Sequence, residues 1–160
     1  CIFMTSKEIK IAYIEYESLD QLDPQDRELA EAAIEATKGS YAPYSRFNVG
    51  AAVRLDTGEI VKGANQENAA YPSGLCAERT AMFYASATYP DSIIESIAVT
   101  ASQNGILCDS PASPCGACRQ VMAQYQTKGG SPMTIILVGG KKIWKFDKVD
   151  DLLPLIFDSI

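Results

Sequence analysis

The sequence contains no histidine. The side chain that titrates nearest neutral pH is therefore missing, and any proton-transfer or metal chemistry must run on thiols and carboxylates. Long apolar runs are missing too. Stretches such as "TIILV" (134 to 138) fall far short of the roughly 20 apolar residues that a membrane-spanning helix needs. The opening "CIFMTSKEIK" has no long apolar stretch and no small-residue cleavage site, so no secretory leader is expected there and a cytoplasmic location is. An excess of positive charge is absent as well. Lys and Arg number 14 against 20 Asp and Glu, a formal charge of −6, which argues against nucleic acid as a partner and for a small-molecule substrate. With 47% hydrophobic and 21% charged residues and no low-complexity run, the chain reads as a soluble globular protein. Its 160 residues suit one domain.

What is present is cysteine, five in all. A reducing compartment makes these metal ligands or catalytic groups rather than disulfides. Three stand in structured contexts: Cys76 in "GLCAERTAMFYA", and Cys115 and Cys118 in "SPCGACRQVMAQY". Cys108 lies in the loop-like "SQNGILCDSPASP", and no role is placed on Cys1.

Residues 8 to 17, "EIKIAYIEYE", alternate Ile and Tyr with charges, which suggests an exposed edge strand within an N-terminal extension of residues 1 to 20. Residues 21 to 160 read as a single catalytic domain. Asp23 as N-cap, Pro24 at the first helical position and Gly39 past the end predict a helix over 24 to 38. "NVGAAVRLDTGEIVKGAN" reads as a hairpin turning at Asp56-Thr57-Gly58. A second helix begins near Leu75, "SIIESIAVTA" is a strand, and "CGACRQVMAQY" is a third helix. "MTIILVGG", "KKIWKFDK" and "VDDLLPLIF" close with two strands and a short helix. Such alternation implies helices covering a mixed sheet, antiparallel in the hairpin and parallel across the helical crossovers. Cys76 and the Cys115/Cys118 pair then start consecutive crossover helices at one edge of the sheet, where they can meet.

Zinc takes thiolates in tetrahedral geometry, and catalytic sites keep three protein ligands with one position left for water. Helix N-termini favour negative charge and so steady thiolates. Arg79 is placed to offset the excess negative charge of three thiolates. Glu78, two residues after Cys76, is the carboxylate best placed to carry protons beside the metal without binding it. Three other readings compete on the same residues. Cys115-Gly-Ala-Cys118 is also the spacing of a redox pair, though that leaves Cys76 and Glu78 unexplained. Cys108 as fourth ligand would make a closed structural zinc site. Glu78 alone would be an ordinary acid stabilised by the helix dipole.

Taken together, Cys-Ala-Glu followed by Pro-Cys-x-x-Cys is the zinc deaminase signature with cysteine as first ligand. The sequence resembles the small homotetrameric cytidine deaminases at several separated places: "YAPYSRFNVGAAV", "GANQENAAYPSGLCAERTA", "SPCGACRQVMAQ" and "LLPLIF". The resemblance implies a three-layer α/β/α sandwich with a mixed five-stranded sheet. It also implies one Zn2+ per subunit on Cys76, Cys115 and Cys118, with Glu78 as the proton shuttle. Arg79 matches an arginine that hydrogen-bonds the thiolates. Asn65 and Glu67 match the pair holding a ribose hydroxyl, Phe47 an aromatic against the nucleoside, and Ala77 a backbone contact to the base. Phe157 matches an aromatic that reaches a neighbouring subunit's site, so a homotetramer with shared sites is implied. The expected reaction is hydrolytic deamination of cytidine and 2′-deoxycytidine in pyrimidine salvage, with no nucleic acid or membrane partner. A blasticidin-type nucleoside deaminase is the rival within the enzyme class. A Cys-x-x-Cys redox protein or a zinc-stabilised binding module is the rival outside it. The stretch between Cys76 and Cys115 is longer than is usual in that family, and "QNGILCDSPAS" is expected to form a longer surface loop that leaves the metal site unaltered.

Overall fold

Asp23 accepts a hydrogen bond from the Asp26 N–H at 2.9 Å, and Pro24 supplies a first helical residue with no N–H to satisfy. Helix α1 accordingly runs Pro24–Ala36 and tightens into a 3-10 turn over Thr37–Gly39, within the expected span. The computed structural model describes residues 3–158; Cys1 lies outside them.

Two helices follow α1: α2 (Ala77–Thr88) and α3 (Gly116–Gly129). They cover a sheet of seven strands: β1 (Ile14–Tyr16), β2 (Phe47–Leu55), β3 (Ile60–Ala64), β4 (Ile94–Gln103), β5 (Ile106–Leu107), β6 (Thr134–Val138) and β7 (Ile143–Phe146). The spatial order is β1-β7-β6-β4-β2-β3, with β5 folded back on β4. Strand β4 inserts between β2 and β6, antiparallel to the first and parallel to the second. The three layers are as expected. Helix α1 packs Leu29, Ala30 and Ala33 on one face against Ala52, Ala98 and Ile136. Helices α2 and α3 pack Ala81, Met82 and Met122 on the other face against Val53, Ile97 and Ile135. Each of the large side chains fully withdrawn from water contributes about 1.5–3 kcal/mol before entropy is counted.

Four expectations are corrected. The sheet has seven strands rather than five, because β1 and β5 extend the five-stranded set at its margins. The N-terminal strand covers Ile14–Tyr16 only, the residues whose partners β7 supplies (Ile14 opposite Lys145, Tyr16 opposite Ile143). The closing helix is a single 3-10 turn, Val149–Asp151, since Pro154 follows too closely for more. Part of the expected long loop is a hairpin as well. Asn104 and Gly105 both have positive φ, 53° and 77°, which matches the right-handed twist of the strands they join.

Close approach of helix and sheet requires glycine at two positions. A Cβ on Gly63 would lie 2.4 Å from Ala81 N and 2.8 Å from Ala77 O, so β3 lies directly against the first turns of α2. A Cβ on Gly50 would lie 2.2 Å from Ala33 O and would force α1 off β2.

Candidate active site

Cys76 is the residue before α2, and Cys115 the residue before α3, with Cys118 in the first turn of α3. All three have their places fixed by the sheet, because both helices start at the same end of it and pack on the same face. The sulfurs lie within 4.8 Å of one another, and Cys115 Sγ is 3.5 Å from Cys118 Sγ. Sulfurs around a tetrahedral zinc with bonds of about 2.3 Å would sit roughly 3.8 Å apart, so the cluster has the right size for that ion. Cys108 is not part of the group. Its backbone is pinned elsewhere, N–H to Ala101 O at 3.0 Å and carbonyl to Gly140 N–H at 2.8 Å.

The surroundings suit a cation bound by thiolates. Cys76 and Cys115 hold the N-cap positions of α2 and α3, so the partial positive charge of both helix N-termini lies beside the sulfurs. Arg79 donates from a terminal guanidinium nitrogen to Cys76 Sγ at 3.5 Å, while its buried Nε finds no hydrogen-bond partner among the described residues. The Cys76 thiol is lowered to about 5 by a hydrogen bond from Cys118 and then by Arg79, so Cys76 carries negative charge at neutral pH. Three sulfur donors with a guanidinium against one of them fit zinc better than a hard cation such as magnesium.

Glu78 stands in the first turn of α2 and is only 5% exposed. Burial raises its pKa, and the charge on Cys76 adds to the rise. A carboxyl group raised in this way takes up and gives back protons nearer neutral pH than a solvated one.

Cys76 and Arg79 form the floor of an open cleft of about 470 Å³, whose walls include Tyr44, Ser45, Asn65, Glu67 and Tyr71. Asn65 and Glu67 thus share the cleft with Cys76, and both are also engaged within the protein. Asn65 Oδ1 accepts from Ser40 Oγ and from the Val49 N–H at 2.9 Å, and Asn65 Nδ2 donates to Phe47 O at 2.9 Å. Glu67 accepts from the N–H groups of Tyr44 and Ser45 at 2.9 and 3.2 Å and from the Ser45 hydroxyl. Those bonds, the hydroxyl first, hold its carboxyl below the usual range. Ala77 is fully buried at the start of α2. Phe47 is half-buried at the start of β2 and is not among the cleft's lining residues. Phe157 is exposed near the C-terminus, its carbonyl accepting from Gln120 Nε2 at 2.7 Å, and it stands apart from its own chain's cleft.

Several positions that shape the site carried no assigned role in the sequence. Tyr44 and Tyr71 meet edge to face across the cleft at 6.5 Å between ring centres. Arg119 donates to Pro114 O at 2.9 Å and Leu152 O at 2.8 Å, fixing the residue just ahead of Cys115. The tyrosines lie within "YAPYSRF" and "AAYPSG", loops whose aromatic content was the available signal. For Arg119 no local pattern exists, because one of its partners is 33 residues away.

A three-layer α/β/α fold that gathers three sulfurs at two helix N-termini, beside a buried carboxylate, defines the class of zinc-dependent deaminases. Residues 23–130 match the family model described as "Cytidine and deoxycytidylate deaminase zinc-binding region", and the chain belongs to that family. It is an enzyme of the cytidine deaminase type. It is 48% identical over 96 residues to a cytidine deaminase of Halalkalibacterium halodurans, covering 60% of this chain and 68% of the relative. A solved cytidine deaminase from Burkholderia pseudomallei superposes with a TM-score of 0.67 at 38% identity, over 81% of this chain and 97% of the other. A more distant relative, a blasticidin-S deaminase of Bacillus cereus, is 29% identical over 150 residues, 84% of this chain and 93% of the relative.

Proposed function

We propose that the chain hydrolyses cytidine and 2′-deoxycytidine to uridine and 2′-deoxyuridine, releasing ammonia, in pyrimidine salvage. The observation that carries this reading is the cluster of Cys76, Cys115 and Cys118 with buried Glu78 two residues after Cys76, where Cys76 lines a cleft that Asn65 and Glu67 also line. The three cysteines hold one Zn2+ per chain. Bound there, zinc supplies Lewis-acid activation of water for attack at C4 of the base.

Glu78 moves the protons, taking one from the attacking water, delivering it to N3 of the base, and passing one on to the leaving ammonia. Its burial supports this role, since a carboxyl group that both accepts and donates near neutral pH needs a raised pKa. Arg79 offsets the charge of the sulfurs and fixes Cys76. The Ala77 backbone contacts the base. Asn65 and Glu67 orient a ribose hydroxyl with the capacity their internal bonds leave: one amide hydrogen on Asn65 and one carboxylate lone pair on Glu67. Phe47 packs against the nucleoside, and Phe157 serves the site of a neighbouring copy in a homotetramer. Its exposure and its absence from the lining of its own cleft support that placing.

A second reading, deamination of a blasticidin-type nucleoside, is favoured by the alignment with the Bacillus cereus relative over 84% of this chain. One experiment separates the two. Zinc-loaded protein is incubated with cytidine, 2′-deoxycytidine or blasticidin S, and the ultraviolet loss of the aminopyrimidine band is followed. The main reading expects the two simple nucleosides to turn over with the higher kcat/KM. No turnover of cytidine at micromolar enzyme would overturn it.

A further inference from the structure

The N-terminal segment takes no part in the cleft, and the family match begins only at residue 23. Residues 3–13 run into β1 with no turn or bend and no backbone hydrogen bond among the described residues. Phe3, Met4, Ile9, Ile11 and Tyr13 are half-exposed or more, an apolar run unusual for an unpaired segment. Tyr13 anchors this arm to the end of β7, stacking on Phe146 at 5.1 Å and tilting against Trp144 at 5.6 Å. β1 is the last strand of the sheet, so its outer edge has no partner among the described residues.

The order of side chains identifies the occupant of that edge. In extended chain, Lys7, Ile9, Ile11, Tyr13 and Glu15 share one face. Read in reverse the series is acid, aromatic, Ile, Ile, base, so it complements itself. Antiparallel pairing of two identical segments about a two-fold axis at Ile11 sets Lys7 opposite Glu15, Ile9 opposite Tyr13 and Ile11 opposite Ile11. Opposite-charge and aromatic–aliphatic pairs are those that stabilise neighbouring strands. Shifting the axis to Tyr13 sets Ile9 and Ile11 opposite Glu17 and Glu15, and parallel pairing sets like charges on each other. Glu15 accepts from Trp144 Nε1 at 2.6 Å and keeps lone pairs for a lysine.

We propose that residues 7–15 pair antiparallel with the same residues of a second copy of this chain, centred on Ile11. Each copy's arm then lies along the outer edge of the other's β1 and extends both sheets into one. The contact is isologous, so within each pair the edge of one arm is satisfied by the other.

The test compares the mass of the full zinc-loaded chain with that of Ile11→Glu by sedimentation equilibrium. The substitution places two carboxylates on the axis at an exposed position, where folding is not at risk. The unsubstituted chain is expected to be the heavier of the two, because arm pairing adds a contact that the deaminase core does not make, and the mass is read independently of the proposed reaction. Equal masses overturn the proposal. Under oxidation, Ile11→Cys is expected to give a reducible covalent dimer well above the level of the unsubstituted chain, whereas Lys10→Cys, on the opposite face and across from Ala12, is not. An Ile11→Cys chain that fails to cross-link also overturns the pairing.

Discussion

Glu78 and Cys76 are two residues apart, yet the fold gives them opposite electrostatic fates. Burial raises the carboxyl group, while the hydrogen bond from Cys118, with Arg79 behind it, lowers the thiol to about 5. The carboxyl group proposed to exchange protons is thereby separated from the thiol proposed to stay ionised. Replacing Glu78 by Gln keeps size and hydrogen bonding and removes only the exchangeable proton. The expected result is about one zinc per chain retained by metal analysis, with kcat reduced on the order of 10²–10⁴-fold. Replacing Cys118 by Ser removes a ligand and is expected to lose the metal itself. The grouping of Cys76, Cys115 and Cys118 was legible in the sequence because the Cys-x-x-Cys spacing and a third cysteine ahead of a helix are local signals. The internal engagements of Asn65 and Glu67 were not, since their partners lie 16 to 25 residues away and meet only in the folded chain.

At the scale of elements, caps and turns were readable and adjacency was not. Asp23, Pro24 and the Asp56-Thr57-Gly58 turn announced α1 and the β2–β3 hairpin, whose Gly58 has a φ of 90°. The start of α2 fell at Ala77 rather than near Leu75, because Cys76 holds the N-cap position without a capping hydrogen bond. The placing of β4 between β2 and β6 rests on pairings spread across the chain. The Asn104-Gly105 signal stood in plain view inside a stretch read as loop. Gly63 is where element packing meets the site. An alanine there would drive its Cβ into the backbone of α2, so Gly63→Ala is expected to cost about 1–3 kcal/mol and to weaken zinc retention. Gly116→Ala, whose Cβ meets nothing within 4 Å, is expected to leave both unchanged. Thermal melts with metal analysis check the pair. Asp23→Ala is expected to cost about 1 kcal/mol at neutral pH through the lost cap. The backbone hydrogen bond from Asp26 holds the folded pKa of Asp23 below its ordinary value, so this stabilisation is fully present above pH about 4 and is lost as pH falls through the folded value. Urea unfolding of both proteins at neutral pH and at about pH 3 should therefore show the gap between them narrowing with acid.

For the molecule as a whole, the sulfur cluster ties α2 to α3 at one end of the sheet, so a metal held there binds the folded chain and not the unfolded one. At zinc concentrations about 1,000-fold over Kd that linkage is worth about 4 kcal/mol, or on the order of 10 °C in Tm for a chain of this length. A strong chelator is expected to lower Tm by that order, and added zinc to restore it. A chelator with no effect on Tm would count against the three-cysteine site.

The two walls of the cleft are built differently, and that difference bears on how the substrate range can change over generations. Asn65 and Glu67 belong to the wiring of the β2–β3 hairpin and its neighbouring loop, so a mutation there disturbs the fold of the cleft wall. Tyr71 stands 81% exposed on one 3-10 turn, and among the described residues the aromatic ring it meets is that of the exposed Tyr44. A library randomised at Tyr71 samples new ligands in chains that still fold, whereas one randomised at Asn65 and Glu67 disturbs the bonds that hold the cleft wall. Novelty enters this cleft from one side.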